Sequence, residues 1–204
     1  MSLTVTKRNR RKIRAILAAG LVLGVGAAVT LAAWSDSVWG KSEFATDKWN
    51  VEGSFNGGTS WGEFATGPTA GTFAFPMADA TSLTPGESVK APVSLRVGPA
   101  VSALNASVTL APSGNNSALA GELDLTVTEA VSCDVGGTTP SGWPAGGSVA
   151  TAGGSTPIIL NGDMTPRHFC FTVTLPADAA LLNTSTTEQV LWEFKATSVE
   201  PVQP

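Results

Sequence analysis

The sequence has few of the residues that carry enzyme chemistry. Its 204 residues include one histidine, two cysteines and no tyrosine, and only 14% of them are charged. A single histidine, His168, excludes an HExxH zinc site, which needs two. No Gly-x-Ser-x-Gly motif is present to position a nucleophilic serine. We therefore predict no catalytic residue, no metal site and no cofactor, and we expect His168 to face solvent or to be hydrogen-bonded at the start of a strand.

Positive charge is absent from most of the chain. Six of the 12 basic residues lie between Lys7 and Arg14, and residues 1–33 contain no acid. The remaining 171 residues hold the other 6 basic residues against all 16 acidic ones, a net charge of −10. Nucleic-acid binding needs clustered Lys and Arg side chains. Nucleic acid is therefore not an expected partner.

An uncharged run, residues 15–33, follows these basic residues and ends in small side chains. A basic start, an apolar middle and a small-residue end are the three parts of a signal peptide. We predict a signal peptide over 1–33 and an exported domain over 34–204, with cleavage between Ala33 and Trp34; a cut after Ala32 is the alternative. The other interpretation is a retained anchor, because 19 residues approach the about 20 that span a bilayer. Membrane contact is expected only through this segment, if it is uncleaved.

The rest of the chain has the composition of an all-β domain, with 22 glycines, 13 prolines and many β-branched residues. Alternating apolar residues predict strands over 88–97, 103–111, 122–128, 169–175 and 190–196, with weaker candidates at 48–56, 71–76 and 156–161. Strands with one buried face predict an antiparallel β-sandwich. Stretches rich in Gly, Ser, Thr and Pro predict loops over 53–72 and 134–157, and a short helix is expected after Pro176.

The two cysteines, Cys133 and Cys170, are predicted to form a disulfide, because exported proteins meet an oxidising environment. Two free thiols are the alternative. Cys170 lies between Phe169 and Phe171 in the alternating pattern, so we expect the bond on the outer surface. Glu122 and Asp124 share a face of a predicted strand, which suits Ca²⁺. Without a calcium-loop motif, a solvated acidic face is the better interpretation.

Two short blocks near the start of the chain carry a family resemblance. Residues 30–36 read Thr-Leu-Ala-Ala-Trp-Ser-Asp, and Phe44 and Ala45 follow after a short spacer. They resemble export signals cut by SipW-type signal peptidases, in which Thr-x-Ala-Ala-aromatic-x-Asp precedes Phe-Ala-x-Gly-x-Leu-x-Leu. Trp49 and Val51 stand at two apolar positions of the second motif, and Asp47 replaces its glycine. Residues 82–89 resemble the family's Pro-Gly turn and 190–197 its closing strand, whereas 112–166 have no counterpart.

The resemblance is to TasA/camelysin-like proteins, in particular to actinobacterial members. It implies a jelly-roll-like sandwich, a SipW-type signal peptidase as the partner in export, and a place at the cell surface or in a biofilm matrix. TasA proteins form fibres, whereas camelysin is described as a metalloprotease, an activity that no residue here supports. We therefore expect an exported, non-enzymatic structural protein that assembles by strand donation. The alternative is a monomeric secreted module that binds a glycan or a protein.

Aromatic residues are concentrated at the start of the exported part, between residues 34 and 64. This segment either packs into its own domain as an N-terminal strand or adds to the sheet edge of a neighbouring subunit. Phe44, Trp49 and Val51 form the candidate assembly segment. Trp61 and Trp143, in predicted loops, are candidates for stacking against a sugar.

Overall fold

Alternating apolar residues build two antiparallel sheets in the computed structural model of the chain, which describes residues 49–99, 104–179, 187 and 189–201. The strands within these ranges are β1 (Val51–Ser54), β2 (Ser88–Val97), β3 (Asn105–Leu110), β4 (Asp124–Glu129), β5 (Ala145–Ser148), β6 (Gly154–Leu160), β7 (Arg167–Thr174) and β8 (Phe194–Val199). Two short helices, α1 (Met77–Ala80) and α2 (Ala118–Glu122), and a 3₁₀ turn, Gly67–Thr69, lie between strands. None of the helices in these ranges has the length and apolar character needed to cross a bilayer.

The five-stranded sheet has the order β1-β2-β7-β4-β5 and the three-stranded sheet the order β6-β3-β8. All of the strand pairs are antiparallel. The chain changes sheet after β2, β3, β5, β6 and β7. These crossings place strands that are distant in sequence side by side, as in a jelly-roll-like sandwich.

The inner faces of the two sheets share one hydrophobic core. Val93, Phe169 and Phe171 of the larger sheet belong to the same buried cluster as Val108 and Leu160 of the smaller one. Burying apolar surface between two sheets is the main stabilising contribution in a sandwich. The predicted antiparallel β-sandwich is therefore confirmed.

The strand predictions hold best where both the alternation and the pairing are continuous. Strand β2 has the predicted bounds, 88–97, and each apolar residue of its inner face is buried. The weak candidate at 48–56 contains β1, and the candidate at 156–161 overlaps β6, which begins earlier, at Gly154. The candidate at 71–76 is wrong: no strand lies there. Phe73 and Phe75 in that segment nevertheless pack against the core, which explains the alternation.

Three predicted strands begin later than expected, and the first of them, predicted from residue 103, begins at Asn105. The prediction over 122–128 is wrong at its start, because Glu122 ends α2 and the strand begins at Asp124. Helix α2 forms because Ser117 caps it, its hydroxyl accepting a hydrogen bond from Ala120 N at 3.2 Å. Similarly, Trp192 precedes β8, which begins at Phe194. Trp192 packs on the core without joining the ladder.

The predicted loop over 134–157 is wrong in its second half, which contains β5 and the start of β6. The sequence of β5 does not show the alternation of apolar and polar residues that predicts a strand, because Gly146 and Gly147 have no side chains. Both glycines also have positive φ angles, 118° and 99°. The helix expected after Pro176 is absent from the described part of that segment. Residues 177–179 form a turn, in which Ala179 N donates to Pro176 O at 3.0 Å.

Candidate functional site

The unpaired edges of the two sheets are the places where another chain can add a strand. In the larger sheet both edges are protected. Gly53 of β1 exchanges two backbone hydrogen bonds with Gly62, at 2.9 and 3.0 Å, so the following segment covers this edge. Strand β5, at the other edge, is only 4 residues long. The positive φ angles of Gly146 and Gly147 also make β5 irregular, so that another strand cannot pair with it along a regular edge.

Strand β6, one edge of the smaller sheet, is protected differently. Pro157 has no N–H to offer to another strand. Two outward carbonyls are already used: Trp143 Nε1 donates to Thr156 O at 2.9 Å, and Arg167 Nη1 donates to Ile159 O at 3.1 Å. Ser155 N donates to Gly142 O at 3.1 Å. An incoming strand would therefore find few free partners along β6.

Strand β8, the other edge, is open along its length in the described part of the chain. Ala111 N donates to Glu193 O at 2.9 Å, so residue 193 points its backbone groups toward the β3 side. In an antiparallel ladder these directions alternate. The backbone groups of Phe194, Ala196 and Ser198 therefore point away from β3, and no described strand pairs with them.

Trp192, two residues before β8, carries a buried polar atom without a partner. Among the buried side-chain nitrogens and oxygens of the described residues, Trp192 Nε1 alone makes no hydrogen bond. Leaving a buried donor unpaired costs about 1–3 kcal/mol.

The indole of Trp192 belongs to an aromatic cluster that fills the core at this side of the sandwich. Phe73 contacts the rings of both Trp192 and Phe171, with centroids 5.0 and 5.2 Å away. Phe55 lies 4.9 Å from Phe73 and 5.4 Å from Phe64. The cluster therefore extends from the buried face of β7 outward to Phe64, which is 41% exposed.

Of the predicted assembly segment, the structure describes Trp49 and Val51. Val51 begins β1 and lies opposite Val97 of β2. Trp49 packs against the core, and its Nε1 donates to Leu104 O at 3.4 Å. Both residues therefore serve their own domain. Phe44 and the predicted cleavage junction at Ala33 and Trp34 lie outside the described residues.

The predicted disulfide is present: Cys133 and Cys170 are bonded, with their Cα atoms 5.2 Å apart. Cys170 lies on the outer face of the larger sheet, opposite Pro92 of β2 and Thr128 of β4. The expectation of a bond at the surface is only half right, because Cys170 is 3% exposed. The bridge ties the segment after β4 to the central strand β7.

His168 is hydrogen-bonded, as one of the two predicted roles required. Its Nδ1 lies 2.7 Å from Ser94 Oγ on the neighbouring strand. Ser94 is 1% exposed, so a substrate cannot reach its hydroxyl. Trp61 lies near this pair, with the Arg96 guanidinium 4.2 Å from its ring centroid. Arg96 also donates two hydrogen bonds to Glu52, at 2.9 and 2.7 Å.

Trp143 cannot stack on a sugar, because it is buried at 4% exposure. Its ring stacks on Phe169 at a centroid distance of 5.4 Å. The sequence-based interpretation of Trp143 as an exposed loop residue is therefore wrong. The surrounding glycines and prolines suggested a mobile loop, whereas Gly154 makes room for the indole. A Cβ atom on Gly154 would meet three ring atoms of Trp143 at 2.9 Å.

The acidic residues do not form the strand face that the sequence suggested. Glu122 and Asp124 lie on different elements, and no group of three or more His, Cys, Asp or Glu side chains able to hold a metal occurs among the described residues. Glu129 pairs with Arg167, whose Nε donates to Oε1 at 2.7 Å and whose Nη2 donates to Oε2. Hydrogen bonding to Arg167 lowers the pKa of Glu129, against the opposing effect of burial.

No protein-family model matches the chain, and no curated protein matches it. The resemblance described above therefore still rests on the motifs alone.

Proposed function

We propose that this chain is an exported, non-enzymatic structural protein of the cell surface or extracellular matrix. In this proposal a SipW-type signal peptidase cuts between Ala33 and Trp34, and the processed chains assemble with one another. One copy adds the segment before its β1 to the open β8 edge of the next copy. The observation that carries the proposal is the β8 edge, whose outward backbone groups pair with no described strand.

The contrast among the four edges favours β8 as the acceptor. Edge strands are aggregation-prone unless they are covered, short, distorted or interrupted by proline. The three protected edges have these features, and β8, within the described part of the chain, has none of them over its 6 residues. Its one charged residue is Lys195. An incoming strand would bond to the amides and carbonyls of Phe194, Ala196 and Ser198. These hydrogen bonds replace the ones that the edge groups make with water in the single copy, and each contributes about 0.5–1.5 kcal/mol.

The positions of Trp49 and Val51 limit which residues can form the donated segment. Because Val51 pairs with Val97 and Trp49 packs against the core, the donated part lies before Trp49, within residues 34–48. That part contains Trp34, Trp39 and Phe44, which would supply apolar anchoring. Net negative charge on the exported part favours solubility of the free copies. Because salt screens the repulsion between negatively charged copies, we expect assembly to depend on salt concentration.

Two changes test the donor and the acceptor separately in the chain that begins at Trp34. Deleting residues 34–48 removes the donor and leaves β1 intact. Ser198→Pro removes an outward N–H, and Ser198→Ala is its matched control, because it keeps that N–H. We expect electron microscopy and light scattering to find polymers for the parent chain and Ser198→Ala. The deletion and Ser198→Pro should give monomers with unchanged melting temperatures.

Two outcomes would contradict this proposal. One is a parent chain that stays monomeric at every concentration and salt level tested. The other is a Ser198→Pro variant that polymerises as readily as Ser198→Ala. Export is tested independently by mass spectrometry of the protein released from cells that contain a SipW-type peptidase. The released chain should begin at Trp34, whereas an intact N-terminus retained with the membrane would refute the processing step.

A further inference from the structure

A second surface feature, distinct from the β8 edge, is a shallow cleft lined by aromatic and neutral polar side chains. A cleft of about 200 Å³ lies between the segment after β1 and the stretch that precedes α1. The rings of Phe55 and Phe64 form its apolar wall, and Asn56, Ser60 and Thr72 supply polar groups. The cleft is smaller than the about 300–1,000 Å³ that accommodates drug-sized ligands. Its size therefore suits a single ring.

The aromatic wall is held in place by glycines. A Cβ atom on Gly71 would lie 2.2 Å from two ring atoms of Phe55, and one on Gly62 would lie 3.0 Å from Phe64 Cζ. The backbone therefore lies directly against both rings. Phe55 and Phe64 meet edge to face, at an interplanar angle of 72°. This arrangement fixes the orientation of a ring that remains open to solvent.

Phe64 itself is in a conformation that phenylalanine seldom adopts. Its φ is +45°, in the left-handed region that favours glycine, and such outliers in bulky residues cluster at functional sites. The ring is also 41% exposed, so burial offsets only part of the cost. A glycine at this position would satisfy the backbone better. What the phenylalanine adds is an aromatic surface in the cleft.

The polar groups of the cleft are neutral and keep free donors, whereas Asn56 Oδ1 already accepts from Ser54 Oγ and Ser60 N at 2.9 and 3.0 Å. Asn56 Nδ2 donates to Ser60 Oγ at 2.8 Å, which leaves a second amide N–H. The hydroxyl hydrogen of Ser60 is also free to donate, because Ser60 Oγ acts as the acceptor in that bond. Thr72 is exposed and presents a hydroxyl at the rim. Among the described residues, no charged side chain lines the cleft, which disfavours phosphate and carboxylate ligands.

We propose that this cleft binds one neutral pyranose ring. A pyranose has an apolar face of C–H groups that packs against an aromatic ring, and hydroxyls that both donate and accept. These two features match the wall of Phe64 and the neutral polar groups of Asn56, Ser60 and Thr72. For a ligand of this size we expect a Kd of about 1–10 mM. The inference does not depend on the proposed assembly.

The test is an amide-shift NMR titration of the full chain with methyl glucoside, methyl galactoside, methyl mannoside and N-acetylglucosamine. We expect at least one sugar to shift the amides of Ser60, Phe64 and Thr72. Phe64→Gly should weaken binding at least fivefold and keep the fold, because glycine accepts the positive φ. The matched control is Met164→Gly, since Met164 also has a positive φ, 64°, and is 46% exposed.

A second variant guards against loss of folding. Thr72→Val keeps the shape of the side chain and removes its hydroxyl, so it should also weaken binding, whereas Met164→Gly should leave the Kd unchanged. Three results would overturn the proposal. The first is that none of the four sugars shifts the amides at 50 mM. The second is that the Phe64→Gly variant shows the same shifts as the parent. The third is that the shifts depend on the protein concentration and not on the sugar concentration. The last result would assign the cleft to a neighbouring copy of the chain.

Discussion

The indole of Trp143 stacks on the ring of Phe169, with centroids 5.4 Å apart and planes inclined by 14°. Phe169 lies on the inner face of β7 and is 1% exposed. Trp143 comes from the segment before β5, and its Nε1 donates to Thr156 O of β6. One side chain thus joins both sheets of the sandwich. We expect the region around it to be rigid despite its glycine content.

Trp143→Ala should therefore cost about 3–5 kcal/mol of unfolding free energy, the usual range for a buried aromatic residue. Denaturant unfolding followed by circular dichroism measures this change. Trp61→Ala is the comparison, because Trp61 lies half-buried on the outer face beside Arg96. That variant should lose about 1 kcal/mol. Equal losses for the two variants would contradict the role given to Trp143.

Two glycines should respond in opposite ways to the same substitution. Gly154→Ala would place a Cβ at 2.9 Å from the Trp143 ring and should destabilise the fold by about 1–3 kcal/mol. Gly121→Ala, in α2, meets no atom within 4 Å and should stabilise it by about 0.5–1 kcal/mol. Thermal unfolding of both variants measures the difference. Shifts in the same direction would show that the packing around Trp143 adapts.

Removing the disulfide should destabilise the domain strongly. The bond between Cys133 and Cys170 closes a span of 37 positions, and the chain-entropy relation gives about 3–4 kcal/mol for such a loop. We expect the Cys133→Ala/Cys170→Ala double variant to lose this amount in urea unfolding. A reducing agent should lower the stability of the parent chain and leave the variant unchanged. A reduced parent as stable as the oxidised one would contradict this account.

The ion pair between Glu129 and Arg167 should make stability depend on acid pH. Because Arg167 lowers the pKa of Glu129 in the folded state, its contribution is complete above the unfolded value of about 4.3. It is lost as the pH falls through the lower folded pKa. The two side chains are 36% and 28% exposed, so the contribution is about 1 kcal/mol or less.

The Glu129→Gln variant tests this pH dependence. We expect it to be less stable than the parent at pH 7 and to approach the parent as the pH falls from 5 toward 3. Chemical unfolding across that range measures the difference. If the difference in unfolding free energy between the parent and Glu129→Gln does not change with pH, the charge of Glu129 does not contribute to stability, and this prediction is wrong.

The sequence was most informative where one strand face is buried and the other is not. The alternation from Val89 to Val97 predicted β2 and its inner face, because every second residue of a half-buried strand is apolar. The sequence of β5 has no such alternation. Its position depends on pairing with β4 and on the packing of Trp143, which is distant in sequence from Phe169. Long-range packing of this kind cannot be read from local pattern.

The candidate sites were less predictable than the fold. The disulfide followed from the expected export route and from the presence of two cysteines. The open β8 edge did not, because identifying an edge requires knowledge of the strand order in both sheets. The Phe64 cleft was equally hidden, since its two rings meet only after the segment following β1 folds back. A positive φ at phenylalanine has no signature in the sequence.

Hydrogen exchange at β8 tests the central claim most directly. In the monomer, the amides of Ala196 and Ser198 should exchange quickly, because they point away from β3. On assembly they should become protected at least tenfold, while the amides of Gly146 and Gly147 in β5 should keep their monomer rates. Polymers in which Ala196 and Ser198 exchange as fast as in the monomer would contradict strand addition at this edge.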